Sequence, residues 1–270
     1  MKENTHKTRC GTIHYWTDKV DAEKPTLVFL PGLTADHRLF EKQIEYFKGR
    51  YNLFVWDAPA HAASWPFSFD FDLEDKANWL QEILQKEQLE KPVVIGQSMG
   101  GYVGQTFAQL FPDTLAGFVA IDSAPLQRKY VTAAEIWLLE RMEKVYLYYP
   151  WKMLLEQGTK GVATSEYGRR LMRDIMLTYD GDKKRYAGLS GHGMMLLAKG
   201  YKKNLPYKIN CPAMLICGTK DKAGSCIRYN REWHKNTGIP LYWIEGAGHN
   251  SNTDQPEIVN GLIENFINKI

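Results

Sequence analysis

The sequence predicts an α/β protein: a mostly parallel central sheet with helices on both faces, interrupted by one inserted helical segment. Three observations carry this reading. Short, wholly apolar runs alternate with helix-periodic stretches; one such junction is the pentapeptide Gly96-Gln97-Ser98-Met99-Gly100; and the alternation stops over residues 125–206, then resumes. Strands covered on both faces need no polar positions, so parallel strands read as continuous apolar runs. Strand–helix–strand repeats imply parallel strands joined by crossover helices.

The elements follow in order. Met1 to Gly11 is polar and reads as a tail, without the apolar core of a signal peptide. Thr12 to Trp16 alternates and is expected to form an antiparallel edge strand. Thr26 to Leu30 is a buried strand, followed by a helix over Asp36–Lys48 with Phe40, Ile44 and Phe47 on one stripe. Asn52 to Trp56 is the next strand. Phe71–Lys86 then places Leu73, Ala77, Leu80 and Leu84 on one helical face. Strand Pro92–Ile95 leads into helix Met99–Phe111, with Val103, Phe107 and Leu110 aligned, and Phe118–Ile121 is a further strand. Residues 126–205 have helical periodicity with breaks expected at Gly158, Gly161, Gly168, Gly181, Gly188, Gly191 and Gly193. The α/β pattern returns with strand Pro212–Cys217, helix Ile227–Asn236 and strand Leu241–Ile244. The last helix is expected to be capped by Asp254, with Pro256 in its first turn and Val259, Leu262, Phe266 and Ile270 as its buried stripe. The domains expected are therefore a core of residues 1–124 and 207–270 and a helical insertion of residues 125–206.

Composition narrows the function. With 44% apolar and 24% charged residues, the chain is an ordinary globular one. A formal net charge of +3 argues against a dedicated nucleic-acid binder. No apolar run approaches the roughly 18 residues of a membrane span. Cys10, Cys211, Cys217 and Cys226 have neither Cys-x-x-Cys nor zinc-site spacing, so they read as plain thiols in a reducing, cytoplasmic compartment. The insertion holds six of the nine methionines, side chains suited to adaptable apolar pockets, and carries 15 basic against 8 acidic residues.

The central motif is Gly96-x-Ser98-x-Gly100 between a strand and a helix. A nucleophilic serine on such a turn needs a strained backbone, and side chains at the flanking glycines would strike neighbouring backbone. The turn also aims the first helical N–H groups at a reacting carbonyl oxygen.

On these residues the chain resembles the α/β-hydrolase superfamily, in its cap-bearing serine esterase and lipase-like branch. The resemblance covers nearly the whole chain and implies roles for other positions. Pro31-Gly32-Leu33 resembles the oxyanion-hole loop, so the backbone N–H groups of Leu33 and Met99 would stabilise the oxyanion. Asp57-Ala58-Pro59-Ala60-His61-Ala62-Ala63-Ser64 resembles the family's Asp-x-Pro-Gly-His-Gly-x-Ser loop with both glycines replaced by alanine, which implies an altered backbone and no catalytic role. His249, on the small-residue loop after the last strand, is the candidate base; Asp221, after the strand ending at Cys217, is the candidate acid. Asp122, which also closes a strand, competes for that role. The order Ser98, Asp221, His249 is the one this fold uses.

The resulting expectation is a cofactor-free serine hydrolase of the carboxylesterase type, with no metal and no nucleotide, since a Walker-A loop would need Gly-Lys-Ser/Thr. Its partner would be a small-molecule ester with an apolar acyl or alcohol group. The same residues suit thioesters, amides such as those cleaved by aminopeptidases, lactones or activated C–C bonds, and a non-catalytic ligand receptor can also be built on this fold.

Overall fold

The computed structural model describes residues 1–270, organised around one eight-stranded sheet. The strands are β1 (Lys2–Lys7), β2 (Thr12–Asp18), β3 (Thr26–Leu30), β4 (Asn52–Trp56), β5 (Val93–Gln97), β6 (Gly117–Ile121), β7 (Ala213–Gly218) and β8 (Leu241–Ile244). Their spatial order is β1-β2-β4-β3-β5-β6-β7-β8. β2 pairs antiparallel with β1 and β4, and all other neighbours are parallel. The helices are α1 (Glu41–Phe47), α2 (Leu73–Lys86), α3 (Met99–Leu110), α4 (Ala133–Leu139), α5 (Met142–Tyr148), α6 (Trp151–Lys160), α7 (Glu166–Leu177), α8 (Lys183–Lys203), α9 (Cys226–Thr237), α10 (Ser251–Asp254) and α11 (Pro256–Ile267). Helices α4 to α8 form the insertion between β6 and β7.

Both faces of the sheet are covered from β4 to β7, and this explains the unbroken apolar strands there. Along β3, Val28 and Leu30 join an apolar cluster with Leu80, Val103 and Phe107 of α2 and α3. Leu27 and Phe29 point the other way, to Phe47 of α1 and Val259 and Ile263 of α11. From β3 the chain moves outward to β4 and then returns across β3 to β5. The connections after β3 and β5 therefore diverge, and ligand sites of open α/β sheets form in the crevice at the carboxyl ends of such strands. Leu33 and Ser98 follow those two strand ends.

Several local expectations are corrected. Thr12–Trp16 lies within β2, which is not an edge: the polar segment read as a tail forms β1 and takes the edge position. The helix expected over 36–48 begins as a 3-10 turn at His37–Phe40, capped by Asp36, before α1. Gly158, Gly168, Gly188, Gly191 and Gly193 lie inside helices rather than breaking them. All five admit close neighbours: a methyl would strike Met176 from Gly158, Thr253 from Gly168, Glu143 from Gly191 and Leu33 from Gly193, and would press on Phe69 from Gly188. Asp254 ends α10 and does not cap α11, whose N-cap is Gln255. The buried stripe of α11 is Val259, Ile263 and Ile267, while Ile270 is exposed; Leu110 at the end of α3 is likewise exposed.

Phe29 is fully buried and packs against Phe40 and Phe47 at ring-centroid distances of 5.1 and 6.4 Å. Phe29→Ala should lower unfolding free energy by about 3–5 kcal/mol in a urea titration. Ile258→Ala, at a surface position of α11 that is 52% exposed, should change it by about 0.5 kcal/mol or less.

Candidate active site

Ser98 sits between β5 and α3 with φ 48° and ψ −115°, a region that L-residues rarely occupy. Two glycines permit it. A methyl on Gly96 would collide with the Gly100 backbone, and one on Gly100 would collide with the Leu30 carbonyl. The strained residue is pinned on both sides: its N–H donates to the Ile121 carbonyl at 2.9 Å, and its own carbonyl accepts from Ser123 Oγ at 2.8 Å.

The structure brings Ser98, His249 and Asp221 together although they lie far apart in sequence. His249 Nε2 is 2.8 Å from Ser98 Oγ, and His249 Nδ1 is 2.9 Å from Asp221 Oδ2. The other Asp221 oxygen accepts from the Ala223 N–H at 2.8 Å. Burial disfavours both charges. The Asp221–imidazolium attraction and hydrogen bond nevertheless outweigh it, raising the His249 pKa above its usual value and lowering that of Asp221. A hydroxyl against one imidazole nitrogen, with a carboxylate on the other, is the geometry of an activated nucleophile.

Asp122, the competing acid, does not touch the histidine. Its carboxylate accepts from the Gly218 N–H at 2.8 Å, the Ser251 N–H at 2.7 Å and Ser251 Oγ at 2.8 Å. Burial and the neighbouring Asp221 charge push its pKa up to about 8. It joins the β7 end to the segment after His249. Gly218 lets that segment come close, since a side chain there would strike the carbonyls of Ala247 and Gly248.

Gly32, the residue before Leu33, lies against Ser98, since a methyl on it would come within 3.1 Å of the Ser98 Cβ, and Met99 is the first residue of α3, where N–H groups have no intrahelical acceptor. Gly193 of α8 rests against the Leu33 side chain, and the Tyr179 hydroxyl donates to the Thr34 carbonyl at 3.4 Å. The insertion is thus in contact with the loop after β3.

The loop after β4 holds itself together. Asp57 accepts from the His37 N–H at 2.8 Å and the Ala63 N–H at 2.9 Å, and His61 Nδ1 lies 3.0 Å from the Pro59 carbonyl. Burial pushes the His61 pKa down to about 3, so that ring is neutral. Ala60 and Ala62 take φ values of 72° and 37°. The replaced glycines have therefore not released this loop from left-handed backbone, at roughly 1–2 kcal/mol per residue. Donor atoms of Asp36, His37 and Asp57 lie within 4.8 Å of one another, but His37 is already on Asp57 at 2.8 Å and Asp36 on the Arg38 guanidinium at 2.7 Å.

Comparison with known proteins agrees with this architecture. The family model described as the alpha/beta hydrolase fold matches residues 25–256. The chain belongs to the α/β-hydrolase family. Among its relatives is 3-oxoadipate enol-lactonase 2 of Acinetobacter baylyi, 22% identical over 255 residues, spanning 90% of this chain and 88% of that protein. Among solved structures, the enol-lactonase from Burkholderia xenovorans LB400 superposes with a TM-score of 0.76 at 18% identity, covering 98% of this chain and all of that one. A thermophilic esterase from Thermogutta terrifontis gives a TM-score of 0.76 at 19% identity, over 100% and 99% of the two chains. No helix is long and apolar enough to cross a membrane.

Within this α/β-hydrolase, two residues near the site escape sequence reading. Gln97 Nε2 donates to the His249 carbonyl at 2.7 Å and to Asn250 Oδ1 at 3.1 Å. Asp254 accepts from the Gly248 N–H at 2.8 Å, the Thr164 N–H at 2.9 Å, Thr164 Oγ1 at 2.9 Å and the Ser165 N–H at 2.8 Å. The Asn250 N–H also donates to the Val162 carbonyl at 2.9 Å. The start of α7 is thereby bound to the histidine loop. Gln97's place inside the motif was the one available signal; Asp254 resembled a helix cap, and its partners in the insertion lie some ninety residues away. Asp254→Ala should leave buried N–H groups unpaired, cost about 1–3 kcal/mol of stability, and speed amide exchange at Thr164, Ser165 and Gly248. Exchange mass spectrometry checks this against the exposed control Asp180→Ala, which should match the parent.

Proposed function

We propose that this protein is a serine hydrolase that cleaves carboxylic esters of small or medium apolar acids, open-chain or cyclic, through an acyl-enzyme. The observation that carries the reading is the continuous line from Ser98 Oγ through His249 to Asp221, with contacts of 2.8 and 2.9 Å. In this reading Ser98 Oγ attacks the ester carbonyl while His249 Nε2 takes its proton. The N–H groups of Leu33 and Met99 bind the oxyanion, and His249 returns the proton to the leaving alcohol. A water deprotonated by His249 then releases the acid and frees Ser98. Asp221 keeps the imidazole in its working tautomer and stabilises the imidazolium.

Residues 125–206 act as a cap in this proposal, closing over the core formed by 1–124 and 207–270. Support comes from α8 against Leu33 and from the methionine-rich composition of the segment. A lactone is an internal ester, so the enol-lactonases named above and the esterase fall within one chemistry. Four unpaired thiols fit a reducing compartment, and a cytoplasmic location belongs to the same reading.

A fluorophosphonate should label one serine per chain, identified as Ser98 by peptide mapping, and Ser98→Ala should abolish both labelling and multiple turnover of chromogenic short-chain esters. Labelling of a different serine, or parental turnover in the variant, refutes the assignment. Among p-nitrophenyl esters, kcat/KM should rise from acetyl to butyryl, with each buried CH₂ contributing at most about 0.8 kcal/mol.

The pH dependence follows from the sign of the His249 shift. Its neutral form is the base, and its pKa is raised, so kcat/KM should increase through a limb above the usual histidine value of about 6.5. Asp221→Asn should lower kcat by about 10⁴-fold and move that limb downward, since the imidazolium loses its counter-charge. Asp122→Asn should cost about tenfold or less, the equivalent of one hydrogen bond in the loop support. Paired pH–rate profiles of the two variants decide the matter; a crippled Asp122→Asn beside a parent-like Asp221→Asn would reverse the assignment.

A further inference from the structure

The end of β7 and the start of α9 bring together two thiols that lie nine residues apart in the sequence. Cys217 Sγ, Cys226 Sγ and a carboxylate oxygen of Asp221 all lie within 4.8 Å of one another, and all three residues are buried. Apart from each other and Asp221, the sulfurs have only weak partners. Cys217 Sγ is 3.7 Å from the Gly218 carbonyl; Cys226 Sγ is 3.8 Å from the Ser123 carbonyl and 3.3 Å from Asn230 Nδ2. Both cysteines are unpaired.

We propose that Cys217, Cys226 and Asp221 form a binding site for a soft divalent cation of the Zn²⁺ class, and that its occupation silences the site by drawing Asp221 away from His249. The second half rests on the hydrolase reading above; the first does not.

The donor set selects the ion. Two thiolates with one carboxylate suit Zn²⁺ or Cd²⁺, whereas Ca²⁺ and Mg²⁺ require oxygen ligands. Tetrahedral bonds of about 2.3 Å to sulfur and 2.1 Å to oxygen set donor separations near 3.6–3.8 Å, so an ion would draw the three atoms inward by about 1 Å or less. Cys217 stands at the end of β7, Asp221 in the loop that follows and Cys226 at the start of α9, so the contraction falls at the carboxyl end of the sheet. A cleft of about 480 Å³ lined by Asp221, Gly224, Ser225 and Ile227 lies beside the loop, but neither sulfur lines it and the Asp221 side chain has no exposed surface, so an ion enters only as the loop opens. Binding exchanges metal–water bonds for two metal–sulfur bonds and one metal–oxygen bond, and the two thiol protons pass to solvent. The hydrogen bond from one thiol to the other pulls the Cys217 pKa down and pushes that of Cys226 up, and burial leaves both above the usual thiol value, so that release costs least at alkaline pH. With its carboxylate on the metal, Asp221 no longer serves as counter-charge for the imidazolium 2.9 Å away.

The test uses Cd²⁺ as the probe, because thiolate-to-cadmium charge transfer in the ultraviolet reports sulfur ligation directly. Titration of the full chain should give the charge-transfer band with one ion per chain, and turnover of a chromogenic ester should fall at least tenfold over the same range and return on adding EDTA. Cys217→Ser and Cys226→Ser, each compared with its own metal-free rate and checked for folding by circular dichroism, should lose both the band and the inhibition. Absence of a band in the parent, or a band that persists unchanged in folded Cys226→Ser, overturns the site. A band without inhibition overturns the silencing. Absence of ester turnover before any metal is added counts against the hydrolase reading, while the band still decides the site.

Discussion

The whole candidate site depends on one steric constraint: the backbone of Ser98 can be left-handed only while Gly96 and Gly100 carry no side chains. That conformation turns the chain within one residue from β5 into α3 and lifts the hydroxyl above the sheet. It also seats α3 directly on Leu30, so the loop that follows β3 is drawn beside the serine. The strain is offset locally by the Ile121 and Ser123 hydrogen bonds, both provided by the end of β6. Three adjacent parallel strands thus cooperate at a single residue. A parallel sheet provides this because its strand ends, and the loops they carry, lie on the same side.

The histidine is positioned differently. His249 lies on a loop of small residues that only Ala247 anchors in the apolar core, and polar contacts from around the molecule set the place of the histidine. Gln97 holds its carbonyl, Asp122 holds the segment after it through Ser251, and Asp254 holds the residue before it. Asp254 at the same time receives the first N–H groups of the α7 segment, a carboxylate at a positive helix end. The insertion and the histidine loop therefore share one buried carboxyl group. The insertion thus meets the histidine loop at the α6–α7 junction, whereas α5 packs on α8, where Gly191 faces Glu143.

Much of this was legible in the sequence. β3, β4 and β8 begin and end where their apolar runs do, and the residues brought together at the site are the ones the strand-end loops suggested. Two kinds of feature were hidden. β1 is polar because it occupies an edge, so hydrophobic periodicity carries no trace of it; its signal is the turn in which the Thr8 N–H donates to the Gly11 carbonyl at 2.8 Å. The glycines of α8 were hidden by a double meaning. Glycine weakens a helix in isolation, yet in a packed one it lets a neighbour come close, as Gly191 does for Glu143 and Gly193 for Leu33. The supports of the histidine loop were invisible because a buried carboxylate with distant partners looks, in one dimension, like an ordinary cap or turn residue.

The edge position of β1 bears on how these molecules behave toward one another. An open sheet leaves unpaired N–H and C=O groups along its outermost strands, a template for joining sheets into larger aggregates. Here that border is the sequence Lys-Glu-Asn-Thr-His-Lys, charged at both ends and without an apolar side chain. A second copy approaching it would have to desolvate lysines and bring like charges together. The opposite border, β8, is only four residues long. The same polarity that concealed β1 from a hydrophobicity reading thus guards the sheet against growing sideways in a crowded solution.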